Sequence, residues 1–348
     1  MAIFKGKMTE SSEEIKLDLK DRKIMYELGK NGRFSFSRIA KATGLSRENV
    51  TYRLKRLEDL GFYVGTTALI DPMRFGWLKH AIYLQLQHHT KEEEQKLLDR
   101  FVSHQDIIGV TLCGGNYDIG LLTVSKDKER FYYLFNEIMT LCGDHLSDYL
   151  VLDFVKEDFL GIKIMFDNEK RPEEVKMRPD HISFENEFLS VNPNPKILEI
   201  DEIDKKIMNE LALDGRIELI KLAEKVNAPV ENVRERISRL IKERAIFKFM
   251  ALGSSSLIGY SFYETFLRLK NLTPEKEKEL IRHFERHPNI LWYIKTIGRW
   301  SILLNVFVKN SVQYKRVMDD LRTTFPEIIT DFNTIEVLGQ LKHITLIK

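Results

Sequence analysis

Apolar positions in the first sixty residues recur with helical spacing. Ile24 and Leu28, then Ile39, then Val50, Leu54 and Leu57 stand in three short segments, three or four apart within each, the stripe that a helix buries. The spacing predicts helices over about 20–30, 37–43 and 46–60. Asn31-Gly32 and Gly44 serve as turns, Ser46 as the N-cap of the third helix and Gly61 as its end. From Phe62 the pattern changes to β, and beyond it the order alternates. A strand over 81–87, a helix over 91–103, strands over 108–113 and 119–124, a helix over 128–141 and a strand over 150–155 follow in turn. That order, β-α-β-β-α-β, is the ferredoxin-like plan.

The whole pattern then occurs again. Asp21-Arg-Lys-Ile-Met-Tyr-Glu-Leu28 matches Asp204-Lys-Lys-Ile-Met-Asn-Glu-Leu211, a shift of 183 residues. The same shift pairs Gly32-Arg33 with Gly215-Arg216, Arg53 and Arg56 with Arg236 and Arg239, Gly115 with Gly298, and Asp148 with Asp331. A gapless repeat of this length is a tandem duplication. The expected fold class is α+β, with two copies of a winged helix-turn-helix plus a ferredoxin-like βαββαβ sensor domain. The domains fall at 17–64 and 65–165 in the first copy and 198–247 and 248–348 in the second. A polar, proline-bearing linker at 166–197 separates them. It is long enough for the copies to lie side by side and pair their sheets as an intrachain pseudo-dimer.

On the third helix, Val50, Leu54 and Leu57 form the buried stripe. The other faces carry Ser46, Arg47, Asn49, Thr51, Tyr52, Arg53, Lys55 and Arg56. Arg and Lys neutralise phosphates, and Arg and Asn read base edges in the major groove. After a helix-turn-helix, that face is expected to contact double-stranded DNA. In the second copy Gly44 becomes Asn227 and Ser46 becomes Pro229. From Ser46 to Leu57 four basic residues stand against one acidic, and from Pro229 to Leu240 three stand against two. The second helix is expected to be the weaker DNA partner.

LDLKDRKIMYELGKNGRFSFSRIAKATGLSRENVTYRLKRLEDLGFYVG and the later GGNYDIGLLTV resemble the Lrp/AsnC (feast/famine) transcription regulators. The resemblance spans roughly residues 17–165 and again 198–348. It implies a DNA-binding regulator of transcription, dimerisation or higher assembly, and an amino-acid-type effector at paired sensor domains. The effector loop then corresponds to Gly114, Gly115, Asn116, Tyr117 and Asp118. The two glycines let backbone amides approach a carboxylate, and Asp118 is positioned to accept from an ammonium group. Gly298-Arg299-Trp300-Ser301 has no carboxylate at that place, so one ligand site per chain is expected.

Composition constrains the alternatives. A net charge of +2 neither argues for nor excludes nucleic acid, because affinity depends on local cations. Cys113 and Cys142 form no CxxC pair, consistent with reduced thiols in the cytoplasm. The opening residues read as a polar tail, and no apolar run reaches the length of a membrane span. No nucleophile, P-loop or zinc motif is present, and the His88-His89 pair falls in an expected loop. Neither catalytic residues, metal nor cofactor is expected. The rival readings are a fused sirohaem decarboxylase-like enzyme, which looks like the same family, and a sensor or scaffold without DNA binding. Against the enzyme, the turn strands GVTLCGG and WYIKTIG carry no histidine, and no Arg-His-Arg precedes Ala81. His104 and His287, which recur between copies, fall at expected helix ends, where the dipole favours them.

Overall fold

Each copy begins with three helices that their own end residues delimit. In the computed structural model, which describes residues 14–166 and 197–344, these are α1 (Leu19–Lys30), α2 (Phe36–Thr43) and α3 (Arg47–Asp59). Asp18 and Asp21 form a capping box at the start of α1, and Ser35 and Ser46 cap α2 and α3. Each cap satisfies an amide that the helix cannot pair internally. Gly44 ends α2 in the left-handed region at φ +70°. Ile24, Leu28, Ile39, Val50 and Leu57 are fully buried between the helices, and β1 (Tyr63–Ile70) follows. Residues 167–196 of the expected linker, including Pro172 and Pro195, and residues 1–13 of the expected N-terminal tail lie outside the described residues.

The sensor domain of the first copy comprises β2 (Leu78–Leu86), α4 (Lys91–Ser103), β3 (Ile107–Gly114), β4 (Ile119–Ser125), α5 (Lys128–Cys142) and β5 (Leu146–Phe159). The second copy supplies α6 (Glu202–Leu213), α7 (Leu219–Val226), α8 (Val230–Lys242) and β6 (Ile246–Gly253). Its sensor domain is β7 (Ser261–Leu269), α9 (Pro274–Arg286), β8 (Ile290–Ile297), β9 (Ile302–Val308), α10 (Ser311–Thr324) and β10 (Ile329–His343). Asn227 takes the left-handed position that Gly44 holds in the first copy, at φ +53°. The two sheets run β5-β2-β4-β3 and β10-β7-β9-β8, the ferredoxin-like order twice.

The sheets join edge to edge. β10 pairs with β3 and β5 with β8, all antiparallel, so eight strands close into one barrel. Closure removes the free edges that an isolated sheet exposes. It also explains why β5 and β10 run on past the expected ends at 155 and 338: Lys156 to Phe159 pair with β8, and Gly339 to His343 with β3, of the other copy. Apolar layers fill the space between the sheets and their own helices, Phe101 and Leu134 on one side and Phe284 and Leu321 on the other. His104 and His287 are the C-caps of α4 and α9, and each Nδ1 accepts a backbone N–H two residues on.

The heads meet at the other end. β1 and β6 form an antiparallel ribbon. Gly32 N–H donates to the Phe249 carbonyl at 2.7 Å, and Gly215 N–H donates to the Thr66 carbonyl at 2.6 Å. Arg33 reaches the carbonyls of Gly215 and Ile217, and Arg216 reaches those of Gly32 and Phe34. The exchange is reciprocal, as an isologous contact requires. Ala251, Ile258, Tyr260 and Leu291 of the second copy complete the core of the first head, and Ala68 and Ile70 enter that of the second.

Candidate nucleic-acid interface and ligand loop

Ser46 accepts from the Asn49 amide at 3.1 Å and fixes the start of α3. Ser46, Arg47, Asn49, Thr51, Tyr52 and Lys55 are exposed there, with Tyr52 at 68%. Thr51 Oγ1 donates to the Arg47 carbonyl at 2.9 Å, so its hydroxyl proton is used within the helix. Lys55 pairs with Glu58 at 3.2 Å and Asp59 at 3.1 Å. Such exposed pairs are weak and exchange readily for a phosphate.

Arg53 and Arg56 differ from the sequence expectation. Arg53 Nη1 contacts Asp18 at 2.7 Å and Asp21 at 2.8 Å, and Arg56 Nη2 contacts Asp21 at 2.5 Å. Asp21 is wholly buried, and a buried carboxylate requires such partners. The two guanidiniums therefore fasten α3 to the start of α1 instead of presenting free charge. Asp18 is affected in turn. Burial acts the other way, but the Asp21 amide and the Arg53 guanidinium hold its carboxyl down to about 2. Arg53 Nε also occupies Asn49 Oδ1 at 2.8 Å, so the remaining Asn49 donors lie on its amide nitrogen.

The second head repeats this bracket. Arg236 meets Asp201 and Asp204 at 2.8 Å, and Arg239 meets Asp204. Around it, however, the charge reverses. Lys16, Lys41, Arg47 and Tyr52 of the first head correspond to Glu199, Glu224, Val230 and Glu235. Arg234 pairs with Glu231 at 3.3 Å. An open cleft of about 670 Å³ beside α8 is lined by Glu199, Asp201, Asp204 and Glu235 as well as by Arg236 and Arg239.

The loop from Gly114 to Asp118 joins β3 to β4 and rests on β10 of the other copy. Asn116 Nδ2 donates to Asn333 Oδ1 at 3.3 Å. Gly115 holds φ +117°, and a Cβ there would stand 3.5 Å from the Thr334 carbonyl. Tyr117 is buried, 5.8 Å ring to ring from Tyr83. Asp118 Oδ2 accepts from the Leu86 amide at 2.6 Å, as Ser301 Oγ does from Leu269 at 3.2 Å. Its carboxylate thus has a structural role at a strand end, with one oxygen committed to the backbone. Sequence reading missed this role and the Asp18–Asp21 bracket. The signal for the bracket was present, because Asp21 with Arg53 and Asp204 with Arg236 recur at one separation.

An AsnC-type helix-turn-helix domain matches residues 17–58 and again 200–241. The chain is 30% identical over 116 residues to the DNA-binding transcriptional activator DecR of Escherichia coli, 33% of this chain and 76% of that protein. The chain belongs to the Lrp/AsnC family of transcriptional regulators. An HTH-type transcriptional regulator of Pyrococcus horikoshii is 29% identical over 145 residues, 40% of this chain and 90% of its own. As a tandem Lrp/AsnC chain it also shares its whole fold with a solved structure. The siroheme decarboxylase NirDL superposes with a TM-score of 0.58 at 11% identity, over 94% of this chain and 93% of that one. Among the described residues, no helix is long and apolar enough to cross a membrane, and no three His, Cys, Asp or Glu side chains converge as metal ligands.

Proposed function

We propose that this chain is a sequence-specific regulator that binds double-stranded DNA through α3 of its first head. The observation that carries the reading is the open face of Ser46, Arg47, Asn49 and Tyr52 on a helix braced from behind by Asp21. Residues 17–64 and 198–247 are the heads and 65–165 and 248–348 the sensor domains. The second head contributes little to affinity, since glutamates stand where the first offers lysines and Tyr52. One chain then reads one good half-site, and a palindrome requires two chains. In a salt titration Arg47→Ala should either flatten the slope by about one or cost about 1–3 kcal/mol at one base position. Arg234→Ala should leave both unchanged. An Arg47→Ala variant that binds like the parent refutes the DNA reading. Equal losses in the two variants refute only its one-headed form.

A small effector such as an amino acid is assigned to the interface of the paired sensor domains at Gly114–Asp118, where the loop of one copy touches β10 of the other. Calorimetry with amino acids on the parent and on Asp118→Ser, which keeps a cap at that position as Ser301 does, tests it. Equal binding by the variant removes Asp118 from the site. Acting on DNA, the protein belongs in the cytoplasm, and this reading gives it no catalytic residue. The whole-chain likeness to NirDL favours a second reading, a sirohaem decarboxylase-like enzyme. A shift of the visible spectrum of added sirohaem would support it, and an unchanged spectrum would count against it.

A further inference from the structure

The face assigned to DNA in the first head has a different character in the second. Ser37, Lys41, Ser46, Arg47 and Tyr52 correspond there to Ile220, Glu224, Pro229, Val230 and Glu235. Neither α7 nor α8 keeps a side-chain cap at its start, and Pro229 has no N–H to offer a phosphate. Ile220 is 63% exposed. With Ala223, Ala228, Pro229 and Val230 it lines an open groove of about 430 Å³ along α7 and the start of α8. Folding does not require that apolar surface, because the first head exposes Ser37 and Arg47 at the same positions. An apolar groove kept in water marks a contact surface.

Charge indicates what the groove fits. Glu218 and Glu231 are taken by Lys221 and Arg234. Glu224 in the groove and Glu235 further along α8 are exposed and form no ion pair among the described residues. The first head carries the converse. Lys41 and Arg47 are exposed cations, likewise without an ion pair among the described residues, and Tyr52 presents an exposed aromatic ring on the same helix as Arg47. An aromatic side chain flanked by cations suits an apolar groove flanked by carboxylates. Both faces are uncovered within the chain, where the β1–β6 ribbon and the Arg33 and Arg216 exchange lock the heads together. They can therefore meet only between chains.

We propose that the groove of the second head receives α3 of the first head of another copy of this chain, with Tyr52 in the groove and Lys41 and Arg47 opposite Glu224 and Glu235. A twofold axis relating two chains makes the contact twice, first head to second and second to first, which closes the assembly as a dimer. Two basic faces would repel each other, and the acidic, apolar second head turns that repulsion into attraction. The dimer covers Ser46, Arg47 and Tyr52, so a second chain and DNA compete for them. The docking does not rest on the DNA reading; only the competition does.

The test is sedimentation equilibrium of the full chain over a range of protein and salt concentrations. The parent should show a monomer–dimer equilibrium that moves towards monomer as salt rises, because the facing charges are exposed. Ile220→Ser and Val230→Arg install the first head's own residues and should fold as the parent does, which circular dichroism checks. Each should weaken the contact about tenfold and, since the contact forms twice, the dimer about a hundredfold. Glu224→Lys with Glu235→Lys should weaken it too, and adding Lys41→Glu and Arg47→Glu should restore association. A parent that stays monomeric throughout overturns the inference, including where a foreign protein is what fills the groove. A dimer unchanged by Ile220→Ser and Val230→Arg overturns it as well, being held elsewhere. At concentrations where the parent is dimeric, Ile220→Ser should bind duplex DNA more tightly than the parent does. Equal DNA affinity would overturn the competition, whereas a chain that dimerises in this way and binds no DNA upholds the docking and removes the DNA reading.

Discussion

At the scale of single residues, similar side chains do opposite work according to what stands behind them. Arg47 and Arg53 lie six positions apart on one helix, yet Arg47 is exposed and Arg53 is held by two aspartates. The fold depends on the second kind. In Asp21→Ala, Arg53 and Arg56 lose the carboxylate that both contact. Breaking a buried pair costs about 3–5 kcal/mol, and the lower end applies because Arg56 can turn towards water. Urea denaturation followed by circular dichroism should show this loss, and Asp204→Ala should show a similar one in the second head. An unchanged midpoint in both would mean that the bracket does not support the heads.

At the scale of elements, the β1–β6 ribbon sets how closely the heads approach. A Cβ on Gly32 would lie 2.7 Å from Thr66 Cγ2 and 3.1 Å from both the Ala251 amide and the Phe249 carbonyl. Ribbon and turn are therefore in contact through backbone, and Gly32→Ala should destabilise by about 1–3 kcal/mol through overpacking. Combining it with Thr66→Ser, which removes the methyl and keeps the hydroxyl, should recover part of that loss in the same denaturation measurement. No recovery would place the conflict with the backbone instead. Cationic side chains join the copies elsewhere too. Lys163 reaches the Phe284 and Glu285 carbonyls at the end of α9, and Lys342 reaches those of Val102 and His104 at the end of α4. Cations at helix C-termini are favourable, and here each comes from the other copy.

At the scale of the molecule, the two copies are alike in backbone and different in charge. Beneath the second head lie Asp71, Lys79, Glu157, Asp158, Arg244, Lys248 and His343. Their counterparts in the other copy are Ser254, Phe262, Gln340, Leu341, Gly61, Gly65 and Leu160. Burial, with Lys79 nearby, holds His343 down at about 4 against an ordinary 6.5. Its folded value lies below its unfolded one, so its contribution is present above pH 6.5 and is lost as pH falls towards 4. Asp71 and Asp158, pushed up to about 6 chiefly by burial, act in the opposite sense and gain stability over the same fall. Replacing His343 by Leu, as at Leu160, should leave only the aspartate effect. Between pH 7 and pH 5 the variant should improve relative to the parent by about 2 kcal/mol, visible in thermal midpoints at the two pH values. Parallel pH profiles would show that His343 takes up its proton in the fold as readily as in the unfolded chain.

The sequence by itself determined what depends on neighbours along the chain. The helix cap at Ser46, the turns at Gly44 and Asn227, the alternation of strands and the repeat at 183 residues are local signals, and all appear in the fold. The tertiary structure decided whatever needed the other copy or a distant element. Alternation assigns two faces to a strand but not its neighbours, so joining β10 to β3 and β5 to β8 into one barrel was not legible. Helical spacing placed Arg53 and Arg56 on the open side of α3, but whether an arginine there is free depends on Asp21, more than thirty residues away. Trp292, Asn305 and Glu264 are likewise three single residues on three strands in the chain. Only the register of β8, β9 and β7 sets them side by side, because pairing across strands converts distance along the chain into contact.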